Sequence, residues 1–188
     1  MLLSPTEEDH VLRLERYVVT EAKLEKEIDR FSEHCIEKIE VYKVTFSDRK
    51  CELLAKGIKE NEHLMELEID KCKFRKNHME SIADAIGTNE SIQNIVFSNV
   101  KILESTATHL STALSQNMSL KSLTLIETGL GDRAMTQLAK GISESICLED
   151  IDLRHNNFEQ EGFTALINAL KETFACKVLQ LEGFQFQK

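Results

Sequence analysis

The residues with the widest chemical range in this sequence are six histidines, five cysteines, a close pair of aspartates and one glycine-flanked turn. His10, His34, His63, His78, His109 and His155 show no HxxxH or Cys-His spacing of the kind that places two ligands around a zinc ion. Cys35, Cys51, Cys72, Cys147 and Cys176 include no CxxC pair. An odd number of thiols, with no apolar leader ahead of them, points to a reducing compartment. Cys35 and Cys147 share one repeat position just before a strand, where core packing as small hydrophobes is expected. Asp150 and Asp152 look like an acid/base pair, yet they sit two apart on one strand with no base or nucleophile at a recognisable spacing, and so read as surface. Gly129-Leu130-Gly131 lacks the lysine and the outer glycines of a phosphate cradle. The residues therefore imply no catalytic constellation, no metal and no cofactor.

Composition removes further classes. Of 188 residues, 41% are hydrophobic and 29% charged, with a formal net charge of -9, the balance of a chain that folds. An acidic surface repels phosphate backbones and anionic lipid unless a basic stripe overrides it, and the sequence shows no basic run. Lys23, Glu25, Lys26 and Glu27 interleave as on a solvated helix face. Apolar runs fall short of the roughly 20 residues that span a bilayer. The expectation is a soluble cytoplasmic protein with no nucleic acid and no membrane among its partners.

The elements that would position any site follow a period of 28. Ile36, Leu64, Ile92, Leu120, Leu148 and Cys176 stand 28 residues apart. Three positions on come Ile39, Leu67, Ile95, Leu123, Ile151 and Leu179, and two beyond those Val41, Ile69, Phe97, Leu125, Leu153 and Leu181. Neither column holds a polar residue. Phe46, Phe74, Ile102, Leu130, Phe158 and Phe186 make a further column, and Leu54, Ile82, Leu110, Leu138 and Leu166 another, with Ile58, Ile86, Leu114, Ile142 and Leu170 four residues later. Within each unit the spacing passes from alternation to helical threes and fours, so each is a strand followed by a helix. Ser47, Asp48, Asn77, Ser105 and Asp132 stand where helix N-caps are wanted, and Asn61, Asn89 and Asn117 where the helix turns back to the next strand. Such a unit cannot bury its apolar face alone, so neighbours stack. Strands about 4.8 Å apart against helices about 8 to 10 Å apart bend the stack with the sheet inside.

The unit Leu148-Glu-Asp-Ile-Asp-Leu-Arg-His-Asn-Asn-Phe158, with Gly162 and Ala165-Leu166-Ile-Asn-Ala-Leu170 after it, resembles the ribonuclease-inhibitor class of leucine-rich repeat. That resemblance implies an α/β solenoid, a horseshoe segment with a parallel concave sheet and convex helices. It covers residues 36–188 as five full repeats and a terminal strand unit. The family's Asn or Cys at the strand end is kept at Cys72 and Asn156 and replaced by Val44, Val100, Thr128 and Phe184. Residues 1–35 read as a helical N-terminal cap: Ser4 and Glu7 have capping-box spacing, Pro5 sits at the first helical position, and Val11, Leu14, Val18 then Leu24, Ile28, Phe31 form apolar stripes with a break near Thr20. At the other end Leu179, Leu181, Phe184 and Phe186 belong to a strand with no helix after it. Either the last residues fold over this edge or a second copy or partner meets it, and a weak homodimer through the edge is the outcome to test.

With two columns turned into the core, the alternate strand residues face out of the concave sheet. They are Lys38, Glu40, Tyr42, Glu66, Glu68 and Asp70 at one end, Asn94, Val96, Ser98, Ser122, Thr124 and Ile126 at the centre, and Asp150, Asp152 and Arg154 at the other end. Charge around a small apolar centre is the anatomy of a protein interface. The function expected is non-enzymatic binding of a protein, one with a basic surface matching the acidic ends, through Tyr42, Glu66, Glu68, Asp70, Val96, Ser98, Thr124, Ile126, Asp150, Asp152 and Arg154. The resemblance also implies two alternatives: a GTPase regulator like Ran GTPase-activating proteins, with Arg154 as its arginine, and an actin-end-capping module like tropomodulin, although no tropomodulin-like actin-binding helix precedes the repeats. Similar short arrays occur in secreted effectors of intracellular bacteria, which makes own and host cytosol equivalent on this reading.

Overall fold

Alternating apolar residues in each repeat form a short strand and the helical spacing after them forms a helix, in strict succession. The computed structural model describes residues 10–15, 20–29, 35–75 and 77–182. The strands are β1 (Val11–Glu15), β2 (Lys38–Tyr42), β3 (Glu66–Asp70), β4 (Asn94–Ser98), β5 (Ser122–Ile126), β6 (Asp150–Asp152) and β7 (Val178–Gln180). Between them lie α1 (Glu21–Asp29), α2 (Asp48–Glu60), α3 (His78–Thr88), α4 (Glu104–Gln116), α5 (Asp132–Glu144) and α6 (Gln160–Glu172). All seven strands pair in parallel, in chain order, in one open sheet. Leu67 aligns with Ile95, Ile95 with Leu123 and Leu123 with Ile151. This is a leucine-rich-repeat-like solenoid.

The core is a continuous stripe between sheet and helices. Ile39, Leu67, Ile95, Leu123 and Ile151 are each at most 1% exposed, and Leu54, Ile82, Leu110, Leu138 and Leu166 close it from the helix side. Small residues recur on the helices at Gly57, Ala85, Ala113, Gly141 and Ala169, 28 apart. They let neighbouring helices approach. A Cβ added at Gly141 would lie 2.3 Å from the Ser111 carbonyl oxygen, so only glycine fits where α5 crosses α4.

Two kinds of turn complete each unit. On one rim the strands exit through a residue in the left-handed region: Lys43 (φ 53°), Lys71 (52°), Asn99 (53°), Glu127 (53°) and His155 (58°). Asparagine tolerates this conformation and the others bear some strain. On the opposite rim Asn61, Asn89 and Asn117 are buried and join successive turns. Asn117 Nδ2 donates to Ile86 O (2.9 Å) and Asn89 O (2.7 Å), and its Oδ1 accepts the Ser119 (2.8 Å) and Leu120 (2.7 Å) amides. Asn89 bonds to the Ile58 and Asn61 carbonyls in the same way. The helices end here in extended C-caps and not in left-handed ones. Ser145 and Thr173 continue the row with fewer bonds. On this rim Met118 (71%), Ile146 (73%) and Phe174 (101%) also form an exposed apolar row, where the earlier turns carry Glu62 and Glu90.

The N-terminal segment differs from a helical cap. Val11–Glu15 is a strand that pairs with β2, Leu12 opposite Ile39 and Leu14 opposite Val41. Leu12 and Leu14, not Val11 and Leu14, turn into the core. The offset to β2 is one residue short of the period, which is why the 28-residue register misses it. The break near Thr20 is present: its hydroxyl accepts the Lys23 amide at 3.3 Å and α1 begins next to it. Ser4, Pro5, Glu7, Val18 and Phe31 lie outside the described residues.

Other local expectations shift as well. Ser47 caps α2, accepting the Lys50 amide at 3.3 Å, but Leu103 and Gly131 hold the caps of α4 and α5, and Asn77 makes no capping bond. Asp132 serves the next helix instead, since its Oδ1 accepts the Glu159 and Gly162 amides at the start of α6. The orphan N–H groups of a helix start accept any suitably placed oxygen, including one from the preceding turn. Cys35 is exposed and Cys147 half-buried, while Cys51 and Cys72 pack inside; burial pushes their thiols up to about 12 and about 11. At the far end β7 takes part in the ladder through Leu153 N to Gln180 O and His155 N to Glu182 O. Phe184 and Phe186 lie outside the described residues.

Candidate protein interface on the concave sheet

Parallel register sorts the outward side chains into rows that run across the strands. One row is Val11, Lys38, Glu66, Asn94, Ser122, Asp150 and Val178; the next is Arg13, Glu40, Glu68, Val96, Thr124, Asp152 and Gln180. A third holds Glu15, Tyr42, Asp70, Ser98 and Ile126, and Arg154 follows β6 on the same side. The face assembled from sequence is thus one contiguous surface, with Val11, Arg13 and Glu15 of β1 added to it.

Most of the charge on the first three strands is paired within the face. Lys38 Nζ lies 2.9 Å from Glu40, 2.9 Å from Glu66 and 3.2 Å from Glu68, and Arg13 Nε donates to Glu40 at 2.6 Å. Burial works against the Lys38 ammonium, but the hydrogen bonds it donates to the three carboxylates outweigh it and hold the group above the usual lysine range. Burial likewise opposes the Glu40 carboxylate, and Lys38 and Arg13 overcome it, leaving its pKa below the ordinary value. Asp70 accepts from Asn99 Nδ2 at 3.1 Å and sits 3.4 Å from Lys71 Nζ. The exposed Tyr42 ring has Lys43 Nζ at 4.5 Å and Lys71 Nζ at 5.7 Å, within cation-π range.

The far end departs from its sequence description. Asp152, expected on the open surface, is 7% exposed and held by Arg154, whose Nε and Nη2 donate to its carboxylate at 2.9 and 2.8 Å. A charge this buried needs a bidentate partner, and the arginine two residues on supplies it. Arg154 therefore spends its guanidinium on its own strand end, in contrast to the free arginine that a GTPase regulator would present. Beside this pair a shallow depression of about 200 Å³ is lined by Ser122, Thr124, Asp150, Val178 and Gln180.

The centre is different in kind. Asn94, Val96, Ser98, Ser122, Thr124 and Ile126 are all half-buried, with no ionisable group among them. Of the five acids that sequence reasoning matched to a basic partner, Glu66, Glu68, Asp70 and Asp152 each have a cation of this chain within 3.4 Å. Sequence reasoning missed the Lys38 cage, although Lys38, Glu66 and the intervening period contain the signal: residues 28 apart are neighbours on adjacent strands.

No protein-family model matches the chain, and no curated protein matches it in sequence. Solved structures do. The domain described as Leiomodin-1 Actin-Binding Site 2 (ABS2) superposes with a TM-score of 0.59 at 13% sequence identity, over 80% of this chain and 87% of that one. At that identity the likeness is one of fold.

Proposed function

We propose that this chain is a non-catalytic protein-interaction module that binds a protein on its concave sheet. The observation that carries the reading is the contrast within the face. Most of its charged groups are ion-paired in place, while Val96, Thr124 and Ile126 form a centre that sheds water at little cost. Tyr42, Glu66, Glu68, Asp70 and Ser98 border that centre on one side and Asp150, Asp152 and Arg154 on the other. Because four of the acids are paired internally, a basic partner gains mainly at Asp150 and at the rim of the cage. The 28-residue period and the convex helices support placing the repeats in the ribonuclease-inhibitor class. The free thiols favour a reducing, cytoplasmic setting, in the cell of origin or a host. The β7 edge, with its Leu179 and the adjoining Leu181, supports a weak homodimer as part of this reading.

The test is affinity capture with wild type and with a Val96→Asp, Ile126→Asp double variant. Proteins lost with the double variant, at unchanged melting temperature, are the ligands; identical captures remove the concave centre from consideration. Leu123→Ala, which faces inward and is fully buried, controls for register by costing about 2 to 5 kcal/mol of stability without a specific effect on capture.

A second reading is actin binding, supported by the likeness to the Leiomodin-1 domain. Co-sedimentation with filamentous actin and monomer capture on immobilised protein test it directly. Pelleting that is abolished by Val96→Asp would unite the two readings, and no retention of actin in either form would leave the first alone.

A further inference from the structure

On the rim where strands hand over to helices, the segments 43–47, 71–75 and 99–103 run side by side, with Thr45 and Lys73 joined as a parallel bridge. The period brings together lysines that are far apart in sequence. Lys43 and Lys71 hold one position of adjacent turns, and Lys73 and Lys101 hold another two residues on. All four are exposed, as is Arg75. The N-termini of α2, α3 and α4 end at the same rim and add their partial positive charge. The carboxylates nearby are Asp48, bound by Arg75 (3.2 Å) and His78 (2.8 Å), Asp70, bound by Lys71 and Asn99, Glu21, which accepts from Ser47 Oγ, and Glu104 at the start of α4. Among the described residues no carboxylate lies within ion-pair distance of Lys43, Lys73 or Lys101.

The fold does not demand lysine here. Later turns place Glu127 and His155 at the position of Lys43, and Gly129 and Asn157 at that of Lys73. Like charges on adjacent turns repel, yet the first half of the array carries such a pair twice, in a chain of net charge -9. Tyr42 stands at the edge of this cluster under Lys43 and Lys71.

We propose that this rim is a second interaction surface, which takes an acidic, extended protein segment laid across three turns. Turn-to-turn spacing of about 4.8 Å at the strand ends suits carboxylates on successive or alternate residues of such a segment. Nucleic acid fits less well, because a phosphate backbone long enough to cover the rim would run against Glu40, Glu66, Glu68 and Asp70 on the sheet beside it. Anionic membrane fits less well too, since the exposed Met118, Ile146 and Phe174 row that could insert lies on the opposite rim.

Binding of a fluorescent oligo-glutamate peptide, followed by anisotropy, tests the proposal. Wild type is expected to bind at low salt and to weaken as salt rises from about 50 to about 200 mM. Lys73→Glu with Lys101→Glu should weaken binding at least about tenfold, and the milder Lys73→Gln with Lys101→Gln by less. Lys171→Glu with Lys177→Glu makes the same change in net charge away from this rim and should leave binding as it was. The proposal is overturned if the peptide does not bind, if the Lys171 and Lys177 variant loses binding equally, or if oligo-dT or phosphatidylserine vesicles bind the same rim more tightly than the peptide. Circular dichroism confirms that each variant is folded.

Discussion

Replacing Asn117 by alanine removes four backbone hydrogen bonds at once, and their geometry sets the cost. Ile86 O retains the Asn89 amide at 3.2 Å, so it is not orphaned. Asn89 O, Ser119 N and Leu120 N lose the side chain that served them at 2.7, 2.8 and 2.7 Å. Ser119 is half-buried and water can take its amide, but Leu120 is 2% exposed and Asn117 itself 3%. Two stranded buried groups at about 1 to 3 kcal/mol each, with the lost contacts of the side chain, give a destabilisation of about 3 to 5 kcal/mol. For a chain of this length that is a fall in melting temperature of roughly 10 °C. The array contains its own control, because Ser145 holds the equivalent position and its hydroxyl accepts only the Leu148 amide, at 3.3 Å. Asn117→Ser should therefore cost about 1 to 2 kcal/mol, between wild type and alanine. Urea denaturation followed by far-UV circular dichroism measures all three. A cost below about 1 kcal/mol for Asn117→Ala, or equal costs for serine and alanine, would refute the reasoning that this ladder holds the turns together.

Three further outcomes follow from the same structure. Gly141→Ala should lower stability by about 1 to 3 kcal/mol despite alanine's better helix propensity, because its methyl group meets the Ser111 backbone; an unchanged or raised urea midpoint would contradict the close helix contact. Glu127→Gly should raise stability by about 0.5 to 1 kcal/mol by relieving a left-handed residue, and a loss of stability would show that the side chain, not the backbone, decides that position. Glu40 has a pKa lowered in the folded protein from an ordinary 4.5, so its ion pairs stabilise the fold above that pH and are lost as the pH falls through the lower folded value. Glu40→Gln should accordingly flatten the acid limb of a stability profile, and an identical limb in both proteins would count against the pairing with Lys38 and Arg13.

The sequence carried the architecture because burial is periodic. Columns such as Leu67, Ile95 and Leu123 can be aligned by counting, and all are interior. β1 escaped because Leu12 stands 27 residues before Ile39, and because Val11, Leu14 and Val18 mimic helical spacing when read alone. Side-chain pairing escaped for another reason. Which carboxylate Lys38 reaches, and whether Asp152 turns to Arg154 or to solvent, depends on rotamers that the pattern of residue types does not specify. The lysine rim was present in the sequence as residues 28 or 30 apart, invisible to a search for consecutive basic residues.

The close passage of α5 over α4 at Gly141, and the pairing of each element only with its neighbours in the chain, bear on how the protein is made. Among the described elements each strand pairs with its neighbours in the chain and each helix packs against the next helix, so these contacts between repeats join residues about 28 positions apart in a chain of 188. More to the point, no unit waits for a distant one. A repeat leaving the ribosome needs only the repeat before it to bury its apolar face, so structure can grow in step with synthesis, and the centre, covered by repeats on both sides, is the segment that later unravelling reaches last.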